Sequence, residues 1–165
     1  MSELAGRKRV AADARACGVS IEFVDRGPAE SLQEAAANLG LEPREIVKTL
    51  VAKAKVTQTA TEHSYLIVLI PGDKQVDWAK LRRLAGMKKL SMASPEEGCD
   101  ATGYRPGTIN PFGAQAADGT RWPVYADESI TGRVCLGAGE PDRNLFVEAA
   151  ELFEAFEVTT GDIAK

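Results

Sequence analysis

In EIVKTLVAKA, residues 45–54, one lysine interrupts an apolar face. Read as a strand of period two, Ile46, Lys48, Leu50, Ala52 and Ala54 share one side, and Val47, Thr49, Val51 and Lys53 share the other. Lys53 and Lys55 merely end the exposed side, whereas Lys48 sits among apolar neighbours. Two accounts fit Lys48. Its stem could lie on the sheet while the ammonium snorkels to water. Alternatively the charge is held at a pocket floor, where it meets a phosphate or a polarised carbonyl. Enclosing a charge is costly unless it is paired, and no acidic residue accompanies Lys48 on that face. The second account therefore needs an anion from outside the chain.

Two glycine-rich stretches could build the rest of such a pocket. TGYRPGTINPFG, Thr102 to Gly113, has three glycines and two prolines in twelve residues. Such a loop is tightly turned and stiff, and its length is one at which functional loops become common. Glycine lets main-chain N–H groups approach a ligand closely, so the loop could donate to an ester oxygen without any catalytic side chain. A plain surface connection is the competing account. GAGEPDRN, residues 137–144, reads as a hairpin turn between two strands, with Asn144 either a turn residue or a hydrogen-bonding group facing substrate. It lacks GxGxxG and a following helix, and no GxxxxGK phosphate loop occurs in the chain. Lys80, Arg82, Arg83, Lys88 and Lys89 form a basic group that is either the solvated side of a helix or a local docking patch for phosphates.

Composition removes other chemistries. His63 is the only histidine, and Cys17, Cys99 and Cys135 form no CxxC pair, which argues against a zinc site or a histidine-based triad. Three scattered cysteines fit a reducing cytoplasm. No cofactor motif is found. A formal net charge of −4 argues against tight nonspecific nucleic-acid binding but permits one basic patch. The longest uncharged apolar run, Tyr65 to Gly72, is too short to span a bilayer, and MSELAGRKRV has no apolar signal core. The 165 residues are expected to form one domain, and oligomeric state is not legible.

The elements that must position these residues follow from caps and periodicity. A helix is expected over Ser2–Cys17, ended by Gly18, then a strand at Ile21–Val24. Ser31 and Glu34 form a capping box for a helix with the stripe Leu32, Ala35, Ala36 and Leu39, closed by Gly40. Pro43 begins the turn into the lysine-bearing strand. SYLIVLI, Ser64–Ile70, is apolar on both faces and reads as a central strand. Asp77 caps a helix burying Trp78, Leu81, Leu84 and Ala85, and a strand follows at Lys88–Met92. Ser94, Pro95 and Glu97 start another helix. Later strands are expected at Trp122–Tyr125, Arg133–Leu136 and Asn144–Val147, and a last helix with Ala149, Phe153 and Phe156 as its core stripe. This irregular interleaving predicts a mixed α/β (α+β) fold, with a central, largely antiparallel sheet flanked by helices.

Taken in order, GLEPREIVKTL, VLIPGDKQVDWAKLRRLAG, TGYRPGTINPFG and GAGEPDRN resemble the YbaK/ProX-type aminoacyl-tRNA editing domains, which occur free-standing and inserted in bacterial prolyl-tRNA synthetases. The resemblance runs from about Ser31 to Phe156. It implies a YbaK-like domain that hydrolyses mischarged aminoacyl-tRNA, with tRNA(Pro) carrying alanine, cysteine or serine as the expected substrate. Lys48 falls on the family's functional lysine, and GTINP, Gly107–Pro111, on its GxxxP motif. Lys48 and the main chain at Gly107 become the expected catalytic positions. Thr49, Tyr104, Ile109 and Pro111 are expected to touch substrate, as are Gly137, Ala138 and Gly139 of the glycine turn, and Asn144. Asn144 stands where the cysteine-specific branch carries an aspartate, and Ser31 near an aromatic position of that branch, which leaves alanine, serine or a similar small residue open. The tRNA acceptor end is the implied partner, met through the basic group, with prolyl-tRNA synthetase as a second one.

An aminoacyl ester is already activated, so its hydrolysis needs an oriented carbonyl, donors for the oxyanion and a placed water or hydroxyl, not a protein nucleophile. Two further readings stay open: a non-catalytic adaptor docking on tRNA or a synthetase, and an esterase for small acyl nucleotides.

Overall fold

The two adjacent apolar segments pair with each other and form the centre of a sheet. The computed structural model describes residues 6–55, 64–115 and 119–165, so the amino-terminal end of the first predicted helix and His63 lie outside the described residues. Strand β2 (Val47–Lys55) runs antiparallel to β3 (Ser64–Pro71), from Val47 opposite Pro71 to Ala54 opposite Ser64. β3 is fully buried from Leu66 to Ile70 because both its faces and both its edges are covered. Its other neighbour is β5 (Val124–Asp127), which pairs in parallel, and β8 (Thr159–Gly161) adds a further parallel strand. β4 (Lys89–Met92) completes the five-stranded order β4-β2-β3-β5-β8.

A second, antiparallel sheet has the order β1-β7-β6, with β1 at Ile21–Asp25, β6 at Arg133–Gly137 and β7 at Arg143–Glu148. It is joined to the larger sheet by a parallel bridge between Ile46 and Cys135. The main core lies between them. It takes Val47, Val51, Ile67 and Leu69 from one sheet and Val134, Leu136, Leu145 and Val147 from the other, with Val10 and Ala14 of α1 (Gly6–Cys17). Helix α3 (Trp78–Ala85) covers the far face of the larger sheet through Leu81, and α2 (Leu32–Leu39) covers the smaller one through Ala35 and Ala36, against Cys135.

The caps act locally as the sequence implies. Ser31 accepts from the Glu34 amide, although Glu34 turns its own carboxylate to the Glu30 amide. Ser94 and Glu97 form the full reciprocal box at the start of α4 (Pro95–Thr102). α5 (Ala149–Ala155) buries Ala149 and Leu152, while Phe153 and Phe156 pack at the core's margin. That corrects the expected stripe by one residue. β8 went unforeseen because Thr-Thr-Gly carries no apolar alternation, and its place comes from pairing with β5. Beside it, buried Asp127 accepts from the amides of Ile163 and Ala164 and tethers the segment that follows β8.

Candidate functional site

The cleft lies where one edge of β2 lacks a neighbour. β4 covers that edge from Ala52 onward, and the Val51 carbonyl accepts from the Ala93 amide at 3.0 Å. At the other end Ile46 is bridged to β6. Between these points Lys48, Thr49 and Leu50 line a cavity of about 390 Å³. Because the Val51 main chain points away from β3, alternation turns the Thr49 N–H and C=O the same way, into the gap. The Thr49 hydroxyl is buried and has no hydrogen-bond partner among the described residues.

Lys48 shares the lining but sits on the opposite pleat from Thr49. Its Nζ donates to the Lys74 carbonyl in the turn between β3 and α3. Burial lowers its pKa below the ordinary lysine value, and the Asp73 carboxylate partly opposes that shift. Asp73 corrects the reading that no acid stands near Lys48: it lies beyond β3 and reaches the lysine through the turn.

The facing wall is main chain. Gly107, with φ +83°, and Ile109 come from the glycine-proline loop, and Gly137 from the end of β6. Two buried groups hold the loop's shape. The Tyr104 hydroxyl donates to the Phe112 carbonyl, and Asn110 accepts from the Phe112 amide at 2.9 Å while donating to the Thr108 carbonyl at 3.3 Å. Arg9 stacks on the Tyr104 ring, 4.5 Å from its centre. Gly137 lets the two glycine-rich segments touch, since a Cβ there would stand 3.1–3.2 Å from the main chain of Thr108 and Ile109. Gly139 ties them by donating to the Thr108 carbonyl at 2.9 Å.

The structure thus brings Lys48, Thr49, Gly107, Ile109, Gly137 and Asn144 onto one lining. Tyr104, Pro111, Ala138 and Gly139 stand behind it: Tyr104 and Ala138 are core residues, and the Gly139 N–H is spent on the loop. The basic group is elsewhere. Lys80 pairs with Asp162 at 2.9 Å, Arg82, Arg83 and Lys88 line a separate groove at the end of α3, and Lys89 is exposed on β4. Sequence reasoning missed Arg26, which lines the cleft and donates to Asn144 at 2.6 Å. No local pattern marks Arg26, since the pairing of β1 with β7 brings it there. Among the described residues no cluster of His, Cys, Asp and Glu could hold a metal ion, and no helix is long and apolar enough to cross a membrane.

A family model for the aminoacyl-tRNA editing domain matches residues 26–155. A proline–tRNA ligase of Exiguobacterium sibiricum is 32% identical over 139 residues, covering 82% of this chain and 22% of the ligase. One from Bacillus velezensis is 31% identical over 127 residues, covering 76% and 21%. The chain therefore spans about a fifth of the length of these curated relatives. A solved structure put forward as a trans-editing enzyme for prolyl tRNA synthetase superposes with a TM-score of 0.82 at 26% identity, covering 99% of both chains. A hypothetical protein of known structure gives 0.82 at 27%, covering 95% of this chain and 99% of its own.

Proposed function

Because the chain belongs to the aminoacyl-tRNA editing domain family, we propose that it hydrolyses the ester of mischarged tRNA, with tRNA(Pro) carrying a small wrong amino acid such as alanine, serine or cysteine as the substrate. One observation carries this reading: the gap in the β2 edge, where the Thr49 main chain opens into a cleft that Gly107 and Ile109 also line. Acyl transfer from an activated ester needs donors fixed where the oxyanion forms, and a rigid main chain supplies them without reorganisation. The Thr49 N–H and the main chain at Gly107 take that task. Lys48 holds the substrate's polar head or the terminal phosphate, which answers why an ammonium interrupts this strand.

In the reaction a water oxygen bonds to the ester carbon, and the carbonyl oxygen takes up the negative charge. The bond to the ribose oxygen then breaks, and that oxygen leaves with a proton. The neighbouring 2′-hydroxyl of the terminal adenosine assists by orienting the water. The acceptor end of tRNA is the partner, and prolyl-tRNA synthetase, active in the cytoplasm, supplies the mischarged substrate.

A deacylation panel tests the proposal. Alanyl-, seryl-, cysteinyl- and prolyl-tRNA(Pro) are each incubated with catalytic amounts of protein. Accelerated loss of at least one non-cognate ester, with prolyl-tRNA spared, is expected. Retarded tRNA mobility with no acceleration of any ester would overturn it in favour of an adaptor.

A further inference from the structure

Arg26 has no part in the reaction as proposed, yet it is the other cationic residue on the cleft lining. Its side chain is only 14% exposed. Nε donates to Asn144 Oδ1 at 2.6 Å and Nη1 to the Gly27 carbonyl at 2.9 Å, while the exposed Asp142 carboxylate stands 3.9 Å from Nη1. Asn144 is buried, and its Nδ2 donates to the Leu136 carbonyl at 3.0 Å. Both ends of that amide are therefore spent on the protein. Asn144 holds the guanidinium in place through its Oδ1 and is itself anchored to the Leu136 carbonyl. Nη2 keeps two N–H groups with no partner among the described residues.

A clamped guanidinium with a free pair of donors suits an oxygen anion. On the editing reading, on which this step rests, the choice of anion narrows. The amino acid's carboxyl is esterified, so the phosphates are the only standing negative charges of an aminoacyl-tRNA. We infer that Arg26 binds the 5′-phosphate of the terminal adenosine and that Asn144 is a positioning residue acting through it. Lys48 is then left to the aminoacyl end of the substrate.

Titration of the protein with adenosine and with adenosine 5′-monophosphate at low salt, followed by calorimetry, tests the assignment. Wild-type protein prefers the monophosphate by about tenfold or more, the scale of one charge-assisted contact. Arg26→Gln brings the ratio close to one while adenosine affinity stays unchanged, which also reports that the cleft is folded. Asn144→Asp sets a carboxylate against the guanidinium and shrinks the ratio in the same way. Lys48→Ala keeps the preference. A wild-type protein without the preference would overturn the assignment, as would a preference that survives Arg26→Gln or disappears with Lys48→Ala. Preference for the monophosphate through Arg26 in a protein that deacylates no tRNA would keep this site and remove the editing reading. Deacylation without an Arg26-dependent preference would do the reverse.

Discussion

Lys48 and Lys53 lie five residues apart on one strand and live in opposite electrostatic settings. Lys53 points to α4 and bonds Glu97 at 2.8 Å, which raises its pKa. Lys48 points to the other pleat, has only a carbonyl as its hydrogen-bond partner among the described residues, and has its pKa lowered by burial. The carboxylate that meets Lys53 also completes the α4 cap, so this pair ties a helix to the covered part of β2. Lys48 belongs to the uncovered part, where no ion-pair partner lies in contact among the described residues. One lysine is tied to the scaffold by an ion pair, and the other has no such pair among the described residues.

Substitutions can break this contrast. Lys48→Ala should have the largest effect: deacylation falls by about 100-fold or more, the scale of one lost transition-state contact, while the thermal unfolding midpoint stays near wild type. A protein that keeps full activity would remove Lys48 from the site. Thr49→Val should act more mildly and in two directions. It deletes a buried hydroxyl that has no partner among the described residues, so stability rises by about 1 kcal/mol. If that hydroxyl meets substrate, deacylation falls by about tenfold. Unfolding and activity measured on the same preparation separate the two.

Lys53→Ala should leave deacylation unchanged and alter the pH dependence of stability. The Lys53 ammonium first, then the Ser94 amide, hold the Glu97 carboxyl at about 2, below its usual 4.5. A depressed carboxyl contributes stability that is fully present above pH 4.5 and lost as pH falls toward 2. The variant should therefore show a flatter decline of its melting temperature across that window, small in size because the pair is partly solvated. An unchanged slope would deny Lys53 its scaffold role.

Much of this was legible because its causes are local. Ser31, Asp77 and Ser94 cap the helices that their side chains mark, and SYLIVLI could be buried on both faces only at a sheet's centre. The Lys48 site was visible for the same reason: a charge broke a short period. Arg26 was hidden because its partner Asn144 lies 118 residues away, brought close by the β1–β7 ladder. Tyr104 was expected to touch substrate, but its hydroxyl serves the loop's own carbonyl, a choice fixed only once residues 104 and 112 have folded together. The division into two sheets was equally invisible, since both halves show the same strand signals and only the Ile46–Cys135 bridge reveals where they join.

The uncovered stretch of β2 also shows how a strand margin can be left open without recruiting a foreign strand. A bare strand margin is a template on which a foreign chain can add, and folded proteins guard against it. Here the bare length is about three residues, too short to seat a stable extra strand, and the Gly107–Ile109 wall stands opposite. Main-chain groups can thus stay available to a small guest without inviting self-association.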